Sequence, residues 1–144
     1  MNTTMRRAIL RANAIWLIVA STGGLFADLA GAFFGKGPQG PILSSMPDVA
    51  IGFVEAHGLA FIIGVLLWFA RPRRAWHLTG AAVHFLLGAS NLVFWQLFIT
   101  ANMLPAGYVA TTLHAAFFLI HLIAAAVTGQ RRDTCTTCVR HAFS

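Results

Sequence analysis

Apolar residues in this sequence fall into four long runs, separated by short segments that are basic or rich in glycine and proline. The runs cover about 12–34, 49–70, 75–101 and 106–128. Each is close to the ~20 residues that carry a helix across a ~30 Å hydrocarbon core. They are continuous rather than alternating, so they predict helices and not barrel strands. The connections are short, which predicts antiparallel neighbours. The expected fold is all-α: an integral membrane four-helix bundle, up-down-up-down, as one domain over 1–130 with a tail over 131–144. Neither a soluble domain nor an internal repeat is expected. The first run is longer than a signal core and contains Asp28, so it is read as a span and not as a cleaved leader.

Composition strengthens this reading. Only 10% of residues are charged and 58% are hydrophobic, against about 25% charged in soluble domains. Charge then sets orientation. Arg6, Arg7 and Arg11 precede the first run, Arg71, Arg73 and Arg74 separate the second from the third, and Arg131, Arg132 and Arg140 follow the fourth. Lys36 alone lies in the other connections. By the positive-inside rule both termini are cytoplasmic, and the expected location is the inner (plasma) membrane. The net charge of +6 is thus juxtamembrane charge that attracts anionic lipid, and no nucleic-acid partner is expected. Trp68 and Trp76 flank the basic connection as interfacial aromatics, and Pro72 ends the second helix.

Ionisable residues inside such runs are costly, about 2.5–3.5 kcal/mol at mid-bilayer, and mark functional interiors. Here they are Asp28, Glu55, His57, His84, His114 and His121, with Asn91 among them. Counting ~1.5 Å per residue from the run ends predicts two layers. The outer one holds Asp28, Glu55, His57 and His114, with Asn91 just beneath; the inner one pairs His84 with His121. Helical phase supports inward placement. Ser21, Gly24, Asp28 and Gly31 share a stripe, as do Gly80, His84, Gly88, Asn91 and Trp95, and as do Thr111, His114, His121 and Thr128. Glu55 and His57 are about 200° apart on their helix and cannot share the centre of one sector, so one of them is free to meet a second subunit.

Three chemistries follow. Imidazole is a common metal ligand and an axial ligand of haem iron. A level His84/His121 pair resembles the four-helix b-type cytochromes, which implies haem b with these two as ligands, in electron or proton transfer. The seven residues from His114 to His121 amount to about 10.5 Å, so one haem fits and two do not. A transition-metal ion on Glu55, His57, His114 and Asp28 is the variant of this reading. In the second chemistry Asp28 and Glu55 act as intramembrane acids on a lipophilic molecule. Asp28, Glu55, Asn91 and Trp95 together resemble the sterol-isomerase and sigma-2 receptor superfamily, which implies a sterol-like or cationic ligand; a quinone is another lipophilic candidate. The third is a proton relay or an accessory subunit, as a homo-oligomer or within a larger complex. In the tail, Cys135, Cys138 and His141 form a C-x-x-C pattern with three of the four ligands of a zinc site.

Overall fold

The computed structural model describes residues 1–141, with the side chains of 1–46 and 48–127. Every regular element among the described residues is a helix: α1 (Thr3–Phe34), α2 (Gly40–Ser45), α3 (Pro47–Phe69), α4 (Arg74–Val93), α5 (Trp95–Thr100) and α6 (Leu104–His141). Three stretches are long and apolar enough to cross a membrane, Thr3–Phe34, Asp48–Phe69 and Leu104–Val127, which marks a membrane protein. At 20 residues α4 also reaches ~30 Å, but His77, His84 and Asn91 make it less apolar than these three.

Local chemistry sets the helix ends. The Asn2 side chain accepts from the Met5 N–H and caps α1. Gly35, at φ 61°, closes it in the left-handed region that glycine adopts without penalty. Pro47 stands in the first turn of α3 with Asp48 beside it. At the other end Ala70 turns extended, two residues before Pro72. Two features differ from the sequence expectation. The glycine-proline connection contains α2, whose buried Leu43 packs on Gly31 of α1. The third run is not one helix: Phe94 leaves helical geometry and divides α4 from α5. The bend sets Phe98 against Gly107 and Trp95 against Phe98 and Tyr108, so aromatic packing on α6 replaces a straight continuation.

The long helices form two antiparallel hairpins, α1 with α3 and α4 with α6. The hairpins meet along the arginine-rich half of α1, which touches both α4 and α6. A small apolar core lies there. Leu10, Ala14 and Leu17 of α1 pack against Ala60 and Leu67 of α3, and Trp76 and Leu87 of α4 close over them. Nearby, an Arg6 N–H donates to the carbonyl of Pro72 and ties the start of α1 to the α3–α4 connection.

Candidate functional site

The site grows from two seven-residue intervals. His77 and His84 are seven apart on α4, and His114 and His121 are seven apart on α6. Seven residues are nearly two turns, so each pair projects from one face. The helices are antiparallel, so a step up one matches a step down the other. His77 therefore meets His121, with Nδ1 atoms 3.1 Å apart, and His84 meets His114, with Nδ1 atoms 2.8 Å apart. Gly80 makes the first meeting possible: a Cβ there would lie 2.7 Å from His121 Nε2. Phe117 stacks on His84 with ring centroids 5.0 Å apart and walls the site from one side.

Asn13 of α1 joins the two rungs. Its Nδ2 lies 2.6 Å from His121 Nε2 and its Oδ1 lies 2.7 Å from His84 Nε2. The five side chains make one hydrogen-bonded file: His114, His84, Asn13, His121, His77. All five are buried; Asn13, His77 and His121 are 0% exposed. With one ring proton per imidazole, Asn13 fixes every donor. His114 Nδ1–H donates to His84, His84 Nε2–H to Asn13 Oδ1, the Asn13 amide to His121 Nε2, and His121 Nδ1–H to His77. All the donors point the same way. The last one, His77 Nε2, is buried and has no partner among the described residues. Reversing the Asn13 amide would reverse the whole file, so its direction is a property of one side chain.

A second polar contact lies in the other hairpin. Asp28 is wholly buried, and its Oδ2 is 2.6 Å from His57 Nδ1. Its Oδ1 has no partner among the described residues. Gly24 makes room for this imidazole, since a Cβ there would overlap the ring. Asn13 and Asp28 are fifteen residues apart on α1, about 22 Å along the axis, so the pair and the file occupy different levels. Further out on the α4–α6 side, the Asn91 amide donates to Thr111 Oγ1 at 3.3 Å.

The two expected layers are redrawn accordingly. His114 belongs with His84 and not with His57. Glu55 is exposed; His57 takes the inward sector because Gly24 faces it, and Glu55 points away. His84 and His121 lie in adjacent rungs, with nearly parallel rings 6.2 Å apart and 16° between planes, and do not face each other as axial ligands would. Depth counted from the run ends missed the register by seven residues. Among the described residues no group of three or more His, Cys, Asp or Glu comes together to hold a metal ion. Trp95 packs among aromatic rings. The side chains of Cys135, Cys138 and His141 lie outside the described residues. Asn13 and His77 were absent from the sequence candidates. His77 could have been found, because it continues the 84–91 interval by seven toward the arginines. Asn13 lies eight residues before Ser21 and fifteen before Asp28, on the same stripe of α1. No protein-family model, curated protein or solved structure matches the chain.

Proposed function

We propose that the chain is a four-span bundle of the inner membrane, with both termini cytoplasmic, whose histidine file moves protons through the protein interior, alone or as a subunit of a larger complex. The observation that carries this reading is the unbroken five-residue file with links of 2.6–3.1 Å. Neutral imidazole suits such work because it accepts a proton at one nitrogen and releases one at the other. Among the described residues none of the four rings contacts a carboxylate that would trap the proton as an ion pair, the one imidazole–carboxylate contact being His57 with Asp28.

Asn13 is the slow link. An amide does not release its N–H protons readily, so transfer past it needs the amide to turn over or a water to bridge His84 and His121. Asn13 therefore gates the file as well as orienting it. The test is proton flux into liposomes holding the purified protein and an internal pH dye, driven by a potassium diffusion potential. Wild type is expected to exceed empty vesicles, and His84→Phe to fall to their level. Asn13→Asp puts a carboxylate between the two rings, where it would trap the proton as an ion pair, and is expected to fall below wild type. Wild-type flux no greater than that of folded His84→Phe would sink the proposal.

The electron-transfer reading, with haem b or a transition-metal ion, would have to take a facing pair of the file, His77 with His121 or His84 with His114, in place of the expected His84 with His121. Two metal–imidazole bonds of ~2.0–2.1 Å in line set the nitrogens about 4 Å apart, so the paired rings would have to separate. A visible spectrum of the purified protein, oxidised and then reduced, tests it on the same sample: a Soret band that His84→Phe removes would replace the proton reading with this one. Binding of a lipophile at Asp28 is a separate matter, read by mass spectrometry of retained lipid.

A further inference from the structure

Helix α3 ends at the arginine-rich end of the molecule in Phe69, which is 76% exposed. An apolar cleft lies on each side of this ring. One, of about 320 Å³, runs along Leu66, Ala70 and Trp76 and carries Arg71 and Arg73 at its rim. The other, of about 290 Å³, runs along Ile15, Ile18, Val19 and Trp68. Phe69 lines both and is the wall between them. On the second side the Arg11 guanidinium lies 4.2 Å over the Trp68 ring.

The charge here is unbalanced. Arg71 and Arg73 are exposed, and among the described residues neither meets a carboxylate. Of the four acidic residues, Asp48 stands in the first turn of α3 and Asp28 and Glu55 lie well away from its end, while the side chain of Asp133 lies outside the described residues. The backbone that carries the arginines is held in place. The Arg73 backbone N–H donates to the Arg71 carbonyl at 2.7 Å, and Arg6 holds the Pro72 carbonyl between them. A cationic rim above two apolar grooves complements one chemistry, an anion carrying two hydrocarbon tails.

We infer that the end of α3 binds one anionic diacyl phospholipid. Its tails lie in the two clefts astride Phe69, its phosphate sits at Arg71 and Arg73, and Trp68 and Trp76 stand at headgroup level, where amphipathic rings prefer to be. The site rests on the membrane reading and is independent of proton movement. Diffuse attraction would involve every arginine at this end equally; a site involves the two that border a cleft.

The test uses the full chain, delipidated in detergent, with dioleoyl phosphatidylglycerol and dioleoyl phosphatidylcholine as probes, followed by native mass spectrometry. One phosphatidylglycerol is expected to be retained in preference to phosphatidylcholine. R71Q/R73Q is expected to weaken its binding about thirty-fold, from two arginine contacts at the membrane surface. R7Q/R74Q removes the same charge outside the clefts and is expected to bind as wild type does. Equal retention of the two lipids, or equal loss in the two double variants, overturns the site. Should R71Q/R73Q fail to fold, Phe69→Ala decides, since it keeps every arginine and removes only an exposed ring: weaker phosphatidylglycerol binding supports the site, and unchanged binding overturns it.

Discussion

The two hairpins bury polar groups in different ways. Between α4 and α6, imidazole meets imidazole on two rungs, and each ring gives or takes a proton without a charged partner. Between α1 and α3, the inner half is sealed by leucine and alanine, and the polar contact is an aspartate against an imidazole. The difference concerns what happens to a proton. Between an aspartate and a histidine, the proton's two positions are an ion pair and a neutral pair, and burial holds it in one of them. Between two histidines that carry one excess proton the positions are chemically alike, and that proton is shared cheaply. Under the proposed function, one hairpin holds a proton and the other passes it on. Asn13 belongs by chain to the first and by contact to the second, and it makes the only polar side-chain contact from α1 to the histidines of α4 and α6 among the described residues.

The largest effect is expected where the hairpins join. Asn13→Ala leaves two buried imidazole nitrogens unpaired. At about 1–3 kcal/mol each, the loss of stability is roughly 2–6 kcal/mol, read as a lower unfolding temperature in detergent. Proton flux should fall to that of empty vesicles. If stability drops while flux persists, the amide is structural and protons travel by another route. Gly80→Ala comes next. Its methyl would stand 2.7 Å from His121 Nε2, so the ring must leave His77 or Asn13. The expected loss is about 1–3 kcal/mol, with flux reduced. Gly80→Ala with wild-type flux would show that the lower rung is not on the proton route.

Much of this was legible in the sequence, and the failures have definite causes. The helical class follows from apolar run length, and the inward histidines follow from stripes shared with glycine. Register is harder. His84 and His121 have equal depth when counted from the ends of their runs, but a run end is where lipid stops, and it does not fix how two helices slide. The spacing within each helix does: 77–84 on α4 repeats 114–121 on α6, so matched rungs satisfy both intervals at once. His77 escaped notice because it stands three residues after Arg74, where polar residues are ordinary. Asn13 escaped for the same reason beside Arg11. The Glu55 and His57 alternative was visible as a choice, and Gly24 on another helix made it. A sequence pattern carries no such information about what faces it across a contact.

The α1–α3 hairpin supplies the next perturbation. Gly24→Ala drives a methyl into the His57 imidazole and should separate it from Asp28. A cost of about 1–3 kcal/mol is expected, similar to Gly80→Ala. Proton flux, however, should stay at the wild-type level, because the Asp28–His57 pair lies about 22 Å from Asn13 along α1. Equal instability, with flux reduced by Gly80→Ala and kept by Gly24→Ala, is the sharpest form of the comparison between hairpins.

The smallest effect is expected at Glu55, the residue that sequence alone places beside His57 in the site. It is exposed on α3, roughly 200° around the helix from the side that meets Asp28. Glu55→Gln keeps its size and removes its charge without touching either polar system. Stability should move by less than about 0.5 kcal/mol, as for most surface changes, and flux should be unchanged. Glu55→Gln would matter only if this face of α3 met something. A change in the mass of the detergent-solubilised particle on Glu55→Gln would mean that a second subunit covers it. Lower flux with unchanged mass would mean that protons also pass through α3, and the division of labour between the hairpins would fail. Glu55 thus tests whether an ionisable residue in a span belongs to the interior by virtue of being there, or only when a neighbouring helix leaves it room.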